Sequence, residues 1–323
     1  MADGLKLEQR HGKSRVRVAR VWRNSVTGKD LIVEWRVAVS LVTDCLPAFT
    51  SGENSSIVAT DSMKNTVYVK AKECTEVVSV EEFAIILAKH FTSLYPQVES
   101  ATISIVEKPW ERLVLGRQPH SHGFKAGSEK HTAEVTLKKN GTMTLTSGIE
   151  GLAVLKTTKV LKDSYGINTQ FFLIQLRGYW LLKSQLSGAF LEDDNDQVSC
   201  ARFVWYRYAF EWLSDIPPKP FCFTQRYQEV KEVLLETFFG PPQVGVYSPS
   251  VQNTLYLMAK AVLNKFLDVT SLHLRMPNLH FLPVNLTAKT NPNMVKFADD
   301  VYMPTNEPHG TIEATVTRCM SKM

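Results

Sequence analysis

The sequence predicts an α+β fold in which antiparallel sheets carry helices on one face. Three observations predict it. The first half holds several runs in which apolar and polar residues alternate, the signature of half-buried strands. Between them lies a capped segment whose apolar residues recur at helical spacing. The second half then repeats the order of helices and strands less clearly, which suggests two tandem units, residues 1–150 and 151–323, each with its own sheet.

The elements follow in order. From Arg15 to Trp22, Val16, Val18, Ala19 and Val21 are interleaved with basic residues, and Leu31–Val42 continues as a valine-rich second strand. Ser79-Val80-Glu81-Glu82 is a capping box: the serine oxygen accepts from the amide three residues on, and Glu82 reaches back. Behind it Phe83, Ile86, Leu87, Phe91 and Leu94 form an apolar stripe that Pro96 closes. Ala101–Glu107 alternates again. Asn140-Gly141, between His131–Lys138 and Thr142–Thr146, is a hairpin turn. In the second half a helical period runs from Tyr227 to Phe239 and stops at Gly240-Pro241-Pro242. Ser248-Pro249 predicts the next helix start, with serine as the cap and proline first inside, running to about Phe266. Leu272–Val284 and Gly310–Arg318 read as strands.

Composition narrows the class. A chain of 323 residues with 44% hydrophobic and 21% charged residues has the make-up of a soluble globular protein with a sizeable core. The net charge of +5 comes from scattered basic residues, so nucleic acid is not an expected partner. No apolar run approaches the ~20 residues of a membrane helix, and the polar, basic Met1–Arg15 has no secretory apolar stretch. The five cysteines (Cys45, Cys74, Cys200, Cys222, Cys319) form no C-x-x-C pair, and their odd number argues for reduced thiols. An intracellular protein is expected. His120-Ser121-His122, with His131 near, has the i, i+2 spacing of a zinc pair but lacks thiolate or carboxylate partners at ligand spacing, so no metal is expected. There is no G-x-G-x-x-G, Walker loop or G-x-S-x-G elbow to suggest a nucleotide cofactor or serine hydrolysis.

Four islands carry a resemblance: His11-Gly12-Lys13, Val58-Ala59-Thr60-Asp61, the long tract Tyr247-Ser248-Pro249-Ser250-Val251-Gln252-Asn253-Thr254-Leu255-Tyr256, and Met276-Pro277-Asn278-Leu279-His280. Together they resemble the urate oxidase (uricase) family, most closely its plant form. The resemblance implies two tandem tunnelling-fold (T-fold) units per chain, assembled as a homotetramer around an oligomeric β-barrel tunnel. It implies oxidation of urate by O2 and water to 5-hydroxyisourate and hydrogen peroxide, without a cofactor. Lys13, Thr60 and His280 would form the proton relay. Thr60 and the backbone amide of Asp61 would close the site from a neighbouring subunit. Val251 and Gln252 would hold the purine edge, the carboxamide matching it with a donor and an acceptor. Asn278, two residues from His280 and so on the same side of a strand, would lie beside the oxygen position. Ser321-Lys322-Met323 is a conservative variant of the Ser-Lys-Leu peroxisomal address, implying an import receptor as partner. One departure falls in the second island, where Ser56 stands in place of the aspartate usual in plant relatives. The rivals are a zinc- or glutamate-dependent T-fold enzyme for pterins or purines, and a catalytically impaired purine-binding remnant.

The resemblance breaks between about residues 160 and 204. Plant relatives have there a tract whose first phenylalanine stacks on urate and whose arginine, in a Glu-Arg pair, grips the substrate edge. Codons exist for Val160–Gly188 that, in another frame, read FEGFLRDKYTVFPDTIERILATEVTAVW, nearly that tract letter for letter. A frame shift after Lys159 is therefore expected, with Phe190–Val204 and its acidic run Glu192-Asp193-Asp194-Asn195-Asp196 as retained non-coding sequence. The coding DNA tests this: codons incompatible with the second reading dispose of it.

Overall fold

A computed structural model describes residues 7–23, 30–157, 171–176, 203–217, 221–283 and 301–319. The chain divides into two compact units. The first comprises Met1–Ile149, Trp205–Val230 and Phe266–Ser271, and the second Glu150–Val204, Lys231–Lys265 and Leu272–Met323. The elements, in chain order, are β1 (His11–Arg23), β2 (Asp30–Thr43), α1 (Leu46–Thr50), α2 (Thr60–Glu73), α3 (Val80–Leu94), β3 (Val98–Lys108), β4 (Trp110–Leu115), β5 (Gln118–Ala126), β6 (Lys130–Lys138), β7 (Met143–Glu150), β8 (Leu152–Thr157), β9 (Phe171–Leu176), β10 (Phe203–Tyr208), α4 (Phe223–Phe239), α5 (Val251–Lys265), β11 (Val269–Pro283) and β12 (Tyr302–Thr317).

In the first unit the strand order is β1-β2-β3-β6-β7-β10, followed by the first residues of β11. Registers among the first four strands are antiparallel and bring one row of side chains to one face. Val16 and Val18 stand opposite Val37 and Trp35, which stand opposite Ile105 and Glu107. Ile105 and Glu107 in turn stand opposite Ala133 and His131. Directly paired residues share a face, so this row forms one buried surface. It is covered by Phe83, Leu87 and Phe91 of α3 and Met63, Val67 and Ala71 of α2, all at most 2% exposed. Phe83 stacks on Trp35 with ring centroids 4.4 Å apart. The opposite face is polar, with Thr102 bonded to Thr136 at 2.9 Å and Ser104 donating to Glu134 at 2.9 Å.

Local chemistry explains the boundaries. The Ser79 hydroxyl accepts the Glu82 amide at 3.1 Å while Glu82 accepts the Ser79 amide at 2.7 Å, so α3 begins where its capping box predicts. Gly141 sits at φ +91, and Asn140 Oδ1 accepts the Thr142 amide at 2.9 Å, closing the β6–β7 hairpin. Helix α4 ends at Gly240, whose amide donates to the Glu236 carbonyl at 2.8 Å and whose φ of +71 turns the following chain out of the helix. It begins at Phe223, four residues before the apolar period becomes visible at Tyr227.

In the second unit β11 pairs with both β9 and β12, and β9 pairs with β8 in a continuous antiparallel register from Leu152↔Leu176 to Thr157↔Phe171. The apolar stripe of α5 buries Leu255, Met258, Ala259 and Val262. Strand β9 and the first residues of β10 lie inside the segment that departs from the plant pattern; its other residues, Arg177 and the acidic run included, lie outside the described residues. No described helix is long and apolar enough to cross a membrane. Among the described residues Cys45, Cys74, Cys222 and Cys319 are free thiols.

Candidate active site

His11, Gly12 and Lys13 open β1, opposite Leu41, Ser40 and Val39 of β2. Val39 and Leu41 belong to the buried row, so His11 and Lys13 share the helix-covered face. Simple alternation would put Lys13 on the opposite face from Val16 and Val18, because 13 and 16 differ by an odd number. A β-bulge corrects the parity. Between the pairs Lys13↔Val39 and Val16↔Val37 there are two residues on β1 and one on β2, and Arg15 takes φ +58. At Gly12 the two strands lie close together: a Cβ there would lie 2.0 Å from the Val39 carbonyl oxygen. Any side chain would push β1 away from β2 at the residues that flank it.

Facing this strand end is the start of α2. Val58 is 3% exposed and Ala59 is the N-cap, which offers no side-chain acceptor to the first turn. The amides of Thr60 and Asp61, which a helix cannot bond internally, are left without a cap. Both residues are exposed. Lys13 Nζ lies 3.5 Å from Asp61 Oδ1, and Lys64 Nζ reaches the same oxygen at 3.3 Å. These two cations, Lys64 foremost, hold the Asp61 carboxyl below its ordinary value. His11 Nε2 lies 3.2 Å from the Val58 carbonyl oxygen. The preceding loop is also tied down: the Ser56 carbonyl accepts from the Cys45 thiol at 3.2 Å and the Gln97 amide at 3.0 Å. Two of the islands thus meet, with Lys13 and Asp61 in direct contact and Thr60 adjoining.

The second unit carries the other two islands. Helix α5 starts at Val251, not at Pro249: the Ser250 hydroxyl accepts the Asn253 amide at 3.0 Å, and its carbonyl accepts the Thr254 amide at 3.1 Å. Ser250 is therefore the cap. Pro249 stands just outside the helix, where its missing N–H goes unneeded. The effect is to put Val251 and Gln252 in the first turn, Val251 buried and Gln252 exposed. Asn278 and His280 flank Leu279 on β11, which pairs with Leu173 of β9. The strand gives them a common side; their side chains lie outside the described residues.

Other chemistry-bearing clusters are committed elsewhere. His120 and His122 lie on the β4–β5 ribbon, where His120 Nδ1 accepts the His122 amide at 3.1 Å and Arg112 binds the carbonyls of His120 and Ser121, each at 2.7 Å. The described residues contain no group of three or more His, Cys, Asp or Glu able to hold a metal ion. His131 is instead a core residue: its Nε2 lies 2.8 Å from Glu81 Oε1, and the Ser147 hydroxyl donates to the same oxygen at 2.5 Å. Neither this pair nor the His11–Val58 contact was legible as a cluster in the sequence. The one available signal was that His11 lies two residues from Lys13, and so on its side of a strand.

The chain as a whole is similar to proteins of one family. A model of the uricase family matches residues 9–136 and 145–313. Uricase-2 of Phaseolus vulgaris is 54% identical over 323 residues, covering 100% of this chain and 99% of that protein. The uricase of Arabidopsis thaliana is 52% identical over 322 residues, with the same coverage. Among solved structures, uricase from Arthrobacter globiformis matches with a TM-score of 0.75 at 25% identity, covering 100% of this chain and 98% of that one. Urate oxidase from Bacillus sp. TB-90 matches with a TM-score of 0.65 at 19% identity, covering 96% and 100%, a likeness of fold.

Proposed function

This chain belongs to the uricase family, and from that premise we propose how its residues divide the oxidation of urate. Its function is that of a plant-type urate oxidase, an oxidoreductase of purine degradation, on the T-fold architecture of its structural relatives. Urate gives up two electrons to O2, which leaves as hydrogen peroxide, and the oxygen of a water becomes the 5-hydroxyl of 5-hydroxyisourate. The chemistry demands proton movement at each stage, and Lys13, Thr60 and His280 form the relay that supplies it. Gln252 forks onto the purine's amide edge and Val251 adds a backbone contact. The uncapped amide of Asp61 donates to the substrate, and Asn278 covers the oxygen position. No metal or organic cofactor takes part.

The observation that carries this reading is the Lys13–Asp61 contact at 3.5 Å at the mouth of α2. It joins two motifs separated by 48 residues, and each has a family role only beside the other. The resemblance in turn divides the site between subunits. Thr60 and Asp61 enter from a neighbouring subunit, so Lys13, which touches Asp61, enters with them. Val251, Gln252, Asn278 and His280 come from the first subunit. A homotetramer enclosing a tunnel satisfies this division. Peroxide as product gives a reason to house the enzyme with catalase, and Ser321-Lys322-Met323, outside the described residues, is the corresponding peroxisomal address.

Loss of urate's ultraviolet absorbance, followed with and without a metal chelator, tests the proposal. Chelator-resistant loss is the expected result. Chelator-sensitive loss would instead indicate a zinc-dependent T-fold enzyme, and no loss a purine-binding or inert remnant.

A further inference from the structure

We propose that His11 is a positioning residue, an imidazole clamp that sets the distance between the relay lysine and the first turn of α2. The inference rests on the relay reading above and adds a residue to which that reading gave no role. Because His11 and Lys13 lie two apart on β1, ahead of the bulge, both side chains leave the strand on the helix-covered side. Lys13 ends at Asp61, while His11 ends 3.2 Å from the carbonyl oxygen of Val58, two residues before Thr60.

Val58 itself is buried, and its carbonyl belongs to the residue just before the alanine cap of α2. A cap without a side-chain acceptor leaves the helix start weakly held by its own sequence. The holding force comes from outside: the Cys45 thiol and the Gln97 amide at the Ser56 carbonyl, and His11 at the Val58 carbonyl. Of these three, only His11 lies on the strand that also carries Lys13. Its bond therefore fixes the two relay partners relative to one another, not merely the loop.

A carbonyl oxygen only accepts, so His11 Nε2 bears the proton and donates. Burial holds the imidazole below its ordinary pKa, with the Val58 bond opposing that shift, so the ring is neutral at neutral pH. The clamp is then a neutral donor of fixed tautomer, its remaining lone pair on Nδ1. Gly12 completes the device. With no Cβ it lets β1 lie against the Val39 carbonyl, seating His11 and Lys13 at their depth.

The test uses two variants of the full chain. His11→Phe keeps a ring of similar size but has no donor, whereas His11→Gln has an amide N–H of similar reach. Two readouts apply: hydrogen exchange of the peptide spanning residues 57–66, and steady-state urate turnover. His11→Phe is expected to speed exchange at the first turn of α2 severalfold and to lower kcat by about tenfold with KM changed less than about twofold, as misplacement of a relay group predicts. His11→Gln is expected to restore both. Wild-type exchange and kcat in His11→Phe would overturn the proposal, as would His11→Gln being as impaired as His11→Phe, since ring packing alone would then be responsible. If the unsubstituted protein turned over no urate, the relay reading would fail, while the exchange comparison would still decide the clamp.

Discussion

Helices α3 and α5, the last described helix of each half of the chain, begin in the same way and end up in opposite surroundings. Each opens on a serine whose hydroxyl accepts the amide three residues on, at 3.1 Å in α3 and 3.0 Å in α5. Each has a buried valine next, Val80 and Val251. Each then presents a forked side chain, Glu81 in one and Gln252 in the other, and the two forks differ only in an oxygen against an NH2 group. Glu81 is fully buried and bonded to His131 and Ser147, while Gln252 is exposed.

The difference shows how one local pattern is buried and paired or left open by what surrounds it. A buried carboxylate must be paired, and β6 and β7 provide an imidazole and a hydroxyl on the covered face. Burial penalises the charge on Glu81, but His131 and the two hydrogen bonds outweigh it, so its pKa is lowered. Burial likewise opposes the imidazolium of His131. Glu81 leads the groups that more than offset this, with Glu107 and Glu129 adding to it, so its pKa is raised. Tyr227 stacks on His131 with centroids 3.9 Å apart, sealing the pair. A carboxamide carries no charge to neutralise and can remain open, with a donor and an acceptor both free to face solvent.

Four experiments break or sharpen this contrast. The largest effect is expected from the segment that should complete the Gln252 side. Replacing Val160–Gly188 with the family tract restores a stacking phenylalanine and a clamping arginine. It should tighten urate binding by roughly a thousandfold, about 4 kcal/mol, in equilibrium binding of a non-reactive purine. Equal binding by the two chains would show that the tract is dispensable. Next, Glu81→Ala leaves a buried imidazolium unpaired and should cost about 3–5 kcal/mol in chemical denaturation, with little direct effect on purine affinity in molecules that remain folded. Gln252→Ala should do the reverse. Losing two hydrogen bonds to the purine should weaken binding by roughly a hundredfold, with stability changed by less than about 0.5 kcal/mol because the side chain is exposed.

The smallest effect is a pH dependence confined to the buried pair. The raised pKa of His131 means its contribution is whole below its ordinary value of 6.5 and is lost as pH climbs through the folded-state value. The lowered pKa of Glu81 means its contribution is whole above 4.5 and is lost as pH falls through its folded-state value. Between those limits both are present. The stability gap between the wild-type protein and His131→Gln should therefore be widest near pH 5–6 and shrink on the alkaline side. A gap that stayed flat or widened from pH 6 to pH 9 would show that the pair is not ionised in the folded protein.

Much of the scaffold was legible because it depends on neighbours in the chain. The capping box at Ser79, the turn at Asn140-Gly141 and the stop at Gly240 are set by bonds spanning two to four residues. The next cap was misplaced by two residues, since Ser248-Pro249 and Ser250-Val251 are both plausible starts and only the Asn253 amide chooses between them. The β4–β5 ribbon and the Glu81–His131 pair were not legible at all: the carboxylate and the imidazole are 50 residues apart, and nothing near either one announces the other.

The amino-acid order alone determined the candidate side chains, through the family resemblance of four islands: Lys13, Thr60 and Asp61 in two of them, Val251, Gln252, Asn278 and His280 in the others. Tertiary structure decided which way Lys13 points. By alternation it belongs with the outward side chains of β1. The extra residue at Ser14-Arg15 returns it to the helix-covered face, where it meets Asp61. A bulge is stable only when the partner strand and the helix above it give the inserted residue and the re-aimed side chain somewhere to go. Here those are β2 and the first turn of α2, which reach β1 only when the sheet and its helices have packed.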